Sequence, residues 1–260
     1  MADPAMSMTG SRPSPAGMYD YFLGGHHYSE ADRVAAEEAL AIAPEGRFAA
    51  RENRAFMQRA VRYIAAQGVR QFIDIGSGYP TSGPVHEIAA EAVPNPRVPY
   101  VDYDPVVAGF MRELPHPPEV RVITRDLREP WSIINDPVTA GLIDWSEPVA
   151  LLMVSILHFI SADENPGEII ATLRDQLAPG SYLVICHASD GENPDAAAEA
   201  PRAFSTATSG LTMRGPGEIE ALFTGFELVP PGLVTSTEWG TDEPAPVNQI
   251  LGLAGVAVLP

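Results

Sequence analysis

Cysteine and basic residues are scarce in this sequence of 260 residues. The single cysteine, Cys186, excludes an intrachain disulfide and a cysteine-based zinc site, and it favours a reducing compartment such as the cytoplasm. Cys186 lies in an apolar, β-branched run, so we expect it to be a buried small hydrophobe. With 16 basic and 34 acidic residues the formal net charge is -18. Such a chain lacks the basic surface that neutralises phosphates, so we expect no nucleic acid as main partner.

Long hydrophobic runs are also missing. The best apolar run, Val149–Val154, has the length of a strand, whereas a membrane-spanning helix needs about 18 apolar residues. Residues 1–15 are rich in Pro, Ser and Met and lack the basic start and apolar core of a signal peptide, so we expect a disordered leader. With 45% hydrophobic residues, 16–260 can form one α/β domain. We therefore expect a soluble, cytoplasmic protein without a membrane partner.

The first part of the domain is predicted to be helical. Residues 31–41 are rich in Ala and Glu, and in residues 48–67 apolar side chains recur at helical spacing. We assign residues 16–67 to an N-terminal helical lid. Its five arginines are expected to lie on a solvated helix face: Arg47, Arg51, Arg54, Arg59 and Arg62.

Strands and helices alternate through the rest, residues 68–260, which predicts a parallel sheet of Rossmann-like α/β type. The predicted strands are 71–75, 98–101, 120–124, 149–155 and 181–187, and the helices between them are 85–92, 105–113 and 166–177. Polar, Ala-rich residues 190–209 are interpreted as a helical insertion. Two late strands, 226–229 and 250–259, have no helix between them, which predicts an antiparallel closing hairpin.

Acidic residues follow three successive predicted strands. Asp74 is followed by Gly76 and Gly78, which allow a sharp turn and a close approach of the backbone to a ligand. Asp102 ends the next strand, where a carboxylate can accept both ribose hydroxyls of a nucleoside, and Asp126 follows the third, where it can accept from an adenine amine. Ligands of such sheets sit beyond the carboxyl ends of strands, so the three aspartates predict one nucleoside pocket.

The nucleoside could belong to a dinucleotide or to S-adenosylmethionine. A dinucleotide fingerprint needs a third glycine three positions after Gly78, but here the next glycine is Gly83. Asp74 would also repel a pyrophosphate while attracting an ammonium group. S-adenosylmethionine carries an ammonium and no phosphate, so the pattern favours S-adenosylmethionine as cofactor.

Several ordered motifs resemble a bacterial family of S-adenosylmethionine-dependent methyltransferases that was long catalogued as a domain of unknown function. The resemblance extends from about residue 13 to residue 258. The motifs are Tyr-Asp-Tyr-Phe-Leu-Gly-Gly at 19–25, Ala-Arg-Glu-Asn-Arg-Ala-Phe at 50–56, Ile-Asp-Ile-Gly-Ser-Gly-Tyr-Pro-Thr at 73–81, Tyr-Val-Asp-Tyr-Asp-Pro-Val-Val at 100–107, Leu-His-Phe-Ile at 157–160 and Pro-Gly-Ser-Tyr-Leu-Val at 179–184.

This resemblance implies a class I, Rossmann-like methyltransferase fold with a mostly parallel seven-stranded sheet, an antiparallel last strand and an N-terminal lid over the cofactor. It also implies that the methionine end is held by Asp74, Gly76 and Gly78, the ribose by Asp102, and the adenine by Asp126 with Leu127. We assign Tyr103 and Ser155, next to the second and fourth strand ends, to the cofactor as well. The sequence departs from the family pattern at Gly17, where Arg is expected, and at His26 and His27, where Lys and Asp are expected.

Histidines and tyrosines supply the remaining candidates. His158 follows the fourth strand and is our candidate general base, the alternative being a structural role. His26 and His27 in the lid and His187 at the fifth strand end are candidates for binding the methyl acceptor. A solvated loop is the alternative for the lid pair, and no metal site is predicted. Tyr19 and Tyr21 are assigned to the cofactor, with packing as the alternative.

Three functions remain open from the sequence. The first is a methyltransferase acting on a small molecule by in-line transfer, and the second is a protein that binds S-adenosylmethionine without transferring its methyl group. The third is a nicotinamide-dependent oxidoreductase, which the displaced glycine disfavours. The sequence discloses neither the acceptor nor the oligomeric state.

Overall fold

The structure is a computed structural model that describes residues 12–81, 83–189, 201–202, 204–241 and 252–260. Three helices precede the first strand: α1 Pro15–Leu23, α2 Glu30–Ile42 and α3 Gly46–Ala66. Helix α1 begins where the expected leader ends, because the Ser14 hydroxyl accepts the Gly17 amide at 3.0 Å and Pro15 is compatible with a first helical position. Residues 1–11 of that leader lie outside the described residues.

The described chain then alternates strands and helices, as predicted from the sequence. The elements are β1 Gln71–Ile75, α4 Val85–Ala90, β2 Val98–Asp102, α5 Pro105–Glu113, β3 Val120–Thr124, α6 Pro130–Ile134, α7 Pro137–Leu142, β4 Val149–Val154, α8 Pro166–Arg174, β5 Tyr182–Ala188, α9 Pro216–Ala221, β6 Glu227–Leu228, β7 Val234–Thr235 and β8 Gly252–Val258.

One mixed sheet organises these strands in the order β3-β2-β1-β4-β5-β8-β6, with β7 also paired to β8. The first five strands are parallel, and β8 is antiparallel to β5, β6 and β7. The expected class of fold and its reversed last strand are confirmed. The described residues form eight strands rather than seven, because β6 and β7 share one edge of β8 and are separated by Pro230 and Pro231, which have no amide hydrogen to donate.

Both faces of the sheet are buried, which explains the continuous apolar runs of its strands. Leu152 points into a core shared with α3, α4 and α5, whereas its neighbour Leu151 points into a core shared with α6 and α8. A third cluster, with Met18 and Phe22 of α1, fastens the three N-terminal helices to one another. With both faces covered, the carboxyl ends of the parallel strands are left to receive a ligand.

Two parts of the fold differ from the sequence-based expectation or escape it. The short helices α6 and α7 were not predicted, although each starts at a proline and Asp136 caps α7 by accepting the Val138 amide at 2.8 Å. The expected helical insertion, 190–209, lies mostly outside the described residues, and its residues 204–209 form turns and bends.

Candidate active site

A cavity opens at the carboxyl edge of the sheet, beneath the N-terminal helices. Its walls come from α1, α2 and α3, from the ends of β1, β2, β3, β4 and β5, and from residues 204–213. The space inside it, about 1960 Å³, includes the solvent at its wide mouth, so the cavity is an open cleft rather than a closed chamber.

The turn after β1 forms the floor of this cavity. Gly76 has φ 74° and Gly78 has φ 61°, in the left-handed region that glycine adopts at low cost. A Cβ on Gly76 would lie 2.7 Å from the Ile156 side chain. The amides of Gly76 and Ser77 both donate to the Val101 carbonyl, at 2.8 and 3.1 Å. Glycine is thus required at position 76 for backbone conformation and for space.

Asp74 and Asp102 stand side by side on this floor and are 8% and 5% exposed. Burial raises the pKa of Asp74 to about 6, with the Arg54 charge opposing the rise and the Asp102 charge adding to it. Burial likewise raises the pKa of Asp102 to about 6. The Asp102 carboxylate accepts the amides of Gly78 at 2.9 Å and Asp104 at 3.0 Å, which fixes its position against the turn.

The third aspartate belongs to the same site. Asp126 lines the same cavity, and its carboxylate accepts the Arg128 amide and one Arg128 guanidinium N–H, both at 2.9 Å. Arg128 also forms an ion pair with Glu164, with 2.6 Å between Nε and Oε1. Leu127 is buried beside Asp126 and lines the cavity as well. The structure therefore brings the three strand-end aspartates to one cavity, as the sequence reasoning required.

Helix α3 contributes two side chains that sequence reasoning missed. Asn53 is 6% exposed and donates through its amide nitrogen to the Ser155 hydroxyl, while its buried Oδ1 has no hydrogen-bond partner among the described residues. Arg54 lines the cavity and acts on Asp74, so the expectation that all the arginines of α3 lie on a solvated face is wrong. Arg59 also points inward and donates to the Trp239 carbonyl at 2.7 Å. A polar Asn on the buried stripe of an amphipathic helix was the available signal.

The lid residues divide between the cavity and the lid's own packing. Tyr19 lines the cavity and donates to the Ala50 carbonyl at 3.1 Å. Burial raises the pKa of Tyr19 above its ordinary value, so the hydroxyl stays protonated. Tyr21 is absent from the cavity wall, because it donates to Glu37 at 2.9 Å and its ring lies 4.5 Å from the Arg47 guanidinium carbon. The expectation that Tyr21 contacts the cofactor is therefore not met in this arrangement.

The lid histidines do not reach the cavity wall either. His26 is exposed, and His27 is occupied by the buried carboxylate of Asp20, which accepts its backbone amide at 2.7 Å and lies 3.2 Å from its Nδ1. The His27 ring packs between Tyr79 and Phe110. His27 thus fastens the α1–α2 turn to the loop after β1, and the predicted acceptor-binding role of the pair has no support from the geometry.

The two histidines at the later strand ends differ. His158, in a 3₁₀ turn after β4, is buried and lines the cavity, as expected. His187 is completely buried and does not line the cavity, because its Nδ1 donates to the Ala188 carbonyl and its Nε2 accepts from Arg214, each at 2.6 Å. The expectation that His187 binds the acceptor is corrected by this geometry, which makes it a packing residue.

Three remaining points concern the state of Cys186, metal binding and membrane-spanning helices. Cys186 is a buried, free thiol, as expected. Among the described residues, no group of three His, Cys, Asp or Glu side chains is arranged to hold a metal ion. Across the same residues, no helix is both long and apolar enough to cross a membrane.

Similarity to known proteins decides between the functions left open. The model of the S-adenosyl methyltransferase family matches residues 1–260. The chain belongs to this family. It is an S-adenosylmethionine-dependent methyltransferase of the group that the motifs resembled, and a nicotinamide-dependent oxidoreductase is excluded.

Solved structures agree with this assignment. A protein from Thermobifida fusca that is a proposed methyltransferase has a crystal structure, and its sequence is 38% identical to this one. The two structures superpose with a TM-score of 0.92 over 100% of this chain and 99% of that one. A protein of the former domain-of-unknown-function family 574 from Streptomyces avermitilis is 32% identical, with a TM-score of 0.89 over 96% and 98%.

More distant similarity extends only to the fold. Human N-acetylserotonin methyltransferase in complex with S-adenosylmethionine is 14% identical, with a TM-score of 0.51 over 96% of this chain and 63% of that one. No curated protein sequence matches the chain.

Proposed function

We propose that the methyltransferase binds S-adenosylmethionine along its three strand-end aspartates and methylates a small, largely apolar molecule in the remainder of the same cavity. The observation that carries the proposal is that Asp74, Asp102 and Asp126 line one cavity together with apolar side chains. The cofactor supplies an electrophilic methyl group on a sulfonium, so the protein has to bind, orient and exclude water.

The side chains around the cavity fit the chemical groups of this cofactor. Asp74, with the glycine turn of residues 76–78, is assigned to the ammonium end, because a buried carboxylate favours a cation. Asp102 is assigned to the ribose and has acceptor capacity beyond its two amide bonds. Asp126 and Leu127 are assigned to the adenine, with Asp126 as acceptor and Leu127 as apolar wall.

Three further residues complete the assigned cofactor site. Ser155 and Tyr19 lie on the cavity wall near the end of β4, and Tyr103 lies on the wall beside Asp102. The Tyr103 hydroxyl is within 3.2 Å of the Thr208 hydroxyl, which links the cofactor side to residues 204–213. The buried Oδ1 of Asn53 needs a hydrogen-bond donor, and a bound ligand can supply it.

A small, uncharged acceptor suits the remaining wall. The cavity is also lined by apolar side chains, among them Phe22, Met57, Phe159, Phe204, Leu211 and Met213. Apolar walls of this kind favour an apolar or aromatic molecule, while the net charge of -18 disfavours nucleic acid as acceptor. We assign the enzyme to the cytoplasm, because its single buried cysteine suits a reducing compartment.

Calorimetric titration with S-adenosylhomocysteine, the product form of the cofactor, tests the proposal. We expect saturable binding to the wild type and, in Asp102→Ala, a loss of about 1–3 kcal/mol of binding free energy through missing charged hydrogen bonds. Asp163→Asn is the matched control, because Asp163 is exposed and does not line the cavity. Unchanged affinity in Asp102→Ala would assign the ribose to another residue, and absence of binding to the wild type would refute the proposal.

A further inference from the structure

The ring of His158 has only one nitrogen available to a ligand. Its Nδ1 accepts the backbone amide of Ala188, with 3.4 Å between the nitrogens. For its Nε2 no protein partner is found among the residues that the structure describes, and His158 lines the cavity. Because a neutral imidazole carries one proton, a ring that accepts at Nδ1 carries that proton on Nε2. The atom offered to the cavity is therefore a donor.

Arg214 holds the backbone turn that carries His158. It is 5% exposed, and its guanidinium donates to the carbonyls of Leu157 at 2.9 Å and Ile160 at 2.7 Å, which flank His158 in the chain. A third bond runs to His187 Nε2 at 2.6 Å. The planar guanidinium of Arg214 thus forms hydrogen bonds at both ends of the turn that carries His158.

Thr212 and Ser189 form further hydrogen bonds to this turn and to Arg214. The Thr212 amide donates to the His158 carbonyl at 2.7 Å, and the Ser189 hydroxyl donates to the Arg214 carbonyl at 3.0 Å. These bonds hold the backbone of the turn, and the Ala188 amide favours the ring orientation in which Nδ1 faces Ala188.

The surroundings of His158 also oppose a positive charge on its ring. Burial holds the pKa of His158 well below its ordinary value, and the neighbouring His187 and Arg214 lower it further. Burial lowers the pKa of His187 to about 4, so this neighbour is neutral as well. A ring that took a proton from the acceptor would become a cation beside the buried Arg214 guanidinium, and in the described residues no carboxylate is bonded to either group. The charge of Glu218 acts on Arg214 and His187, but its carboxylate accepts the Gly215 amide at 2.9 Å.

We propose that His158 is a neutral hydrogen-bond donor that orients the methyl acceptor through Nε2–H, and that Arg214 is the positioning residue that fixes its tautomer. The inference rests on the proposed function, in which the acceptor occupies the apolar part of the cavity. The acceptor class then narrows to uncharged, largely apolar molecules with a lone pair, such as a carbonyl oxygen or ring nitrogen, next to the atom that is methylated. His158 removes no proton from this acceptor, so a proton carried by the methylated atom passes to solvent at the open mouth of the cavity. This donor role replaces the predicted role of His158 as general base.

Nitrogen NMR of the full chain with ¹⁵N-labelled histidine tests this proposal directly. Each signal is assigned from the loss of one resonance set in single His→Gln variants. We expect His158 to carry its proton on Nε2 and to keep it unchanged between about pH 5.5 and 8, the range in which histidines ordinarily titrate. His187 is an internal control with the opposite tautomer, since its Nδ1 donates and its Nε2 accepts. A proton on Nδ1 of His158, or uptake of a second proton in this range, would overturn the proposal.

The positioning role of Arg214 needs a variant. Arg214→Gln removes the positive charge and part of the hydrogen bonding of the guanidinium to the turn. We therefore expect the His158 signals to show mixed tautomers or protonation on acidification. If Arg214→Gln does not fold, Arg214→Lys replaces it, because Lys keeps the charge but cannot span both carbonyls; mixed tautomers without protonation are then expected. Unaltered His158 signals in a folded variant would refute the role of Arg214.

The proposed function and the proposed role of His158 can be refuted separately. Calorimetry with S-adenosylhomocysteine on the same wild-type sample tests the proposed cofactor site, whereas the NMR signals report on His158 with or without ligand. Absent binding with the expected tautomer would refute the function alone, and binding with the other tautomer would refute this inference alone.

Discussion

Replacing Asp74 by Asn should stabilise the ligand-free protein and weaken its binding of the cofactor. Burial raises the pKa of Asp74 from 3.8 to about 6. A difference of about 2 pKa units, at about 1.4 kcal/mol per unit, means that the charge on Asp74 costs about 3 kcal/mol of folding free energy at neutral pH. Asn has nearly the same shape and no charge, so Asp74→Asn should recover about that amount.

The dependence on pH separates this reasoning from ordinary repacking. Above about pH 6 Asp74 is ionised in the folded and unfolded states, and the stability advantage of Asp74→Asn is complete. As the pH falls the folded wild type takes up its proton first, so the advantage shrinks to about half at pH 5 and vanishes below the unfolded pKa of about 4.

Urea unfolding followed by circular dichroism at about pH 7.5 and pH 5 measures this difference, with Asp163→Asn as the exposed control. In the same samples, calorimetry should show binding of S-adenosylhomocysteine weakened by about 1.5–3 kcal/mol, because a charged hydrogen-bond partner of the ammonium is lost. A variant less stable than the wild type at pH 7.5, or an advantage that does not depend on pH, would refute the electrostatic account of Asp74.

Three further predictions address the turn, the titration and the lid. Gly76→Ala should cost about 1–3 kcal/mol in thermal unfolding, because position 76 has φ 74° and its Cβ would meet Ile156, whereas Gly109→Ala, with open space around it, should be neutral or stabilising. Wild-type affinity for S-adenosylhomocysteine should fall as the pH drops through about 6, since Asp74 and Asp102 then lose their charges; constant affinity from pH 7.5 to 5 would contradict their assignment. Asp20→Ala should speed amide hydrogen exchange in residues 15–28 and cost about 1–3 kcal/mol, because donors of His27 and Thr81 lose their acceptor; unchanged exchange would show that other contacts hold the lid.

Local sequence patterns predicted the fold because each pattern corresponds to a local physical preference. Apolar spacing in residues 48–67 identified α3, and short apolar runs such as Val149–Val154 identified the buried strands. The aspartates at 74, 102 and 126 lie at or just beyond the carboxyl ends of three parallel strands, and these ends meet at one edge of the sheet. Their convergence on one cavity could therefore be predicted without coordinates.

Side chains that act through distant segments could not be identified in this way. Arg214 grips carbonyls 57 and 54 positions earlier in the chain, and Asn53 meets Ser155 across 102 positions. No periodicity reports such pairings, since they arise only when helices and turns pack against a completed sheet. The same reason explains why His158, just after β4, lines the cavity, whereas His187, near the end of β5, does not.

The sequence by itself determined the order of elements, the class of fold and the three carboxylates of the cavity, because periodicity and strand-end position depend on neighbouring residues. Tertiary packing alone decided which nitrogen of which histidine faces the cavity, and that His27 holds the α1–α2 turn against the loop after β1. Orientation of a side chain depends on the hydrogen bonds that remain after the backbone has folded, and for His158 those bonds come from Ala188 and, through its turn, from Arg214.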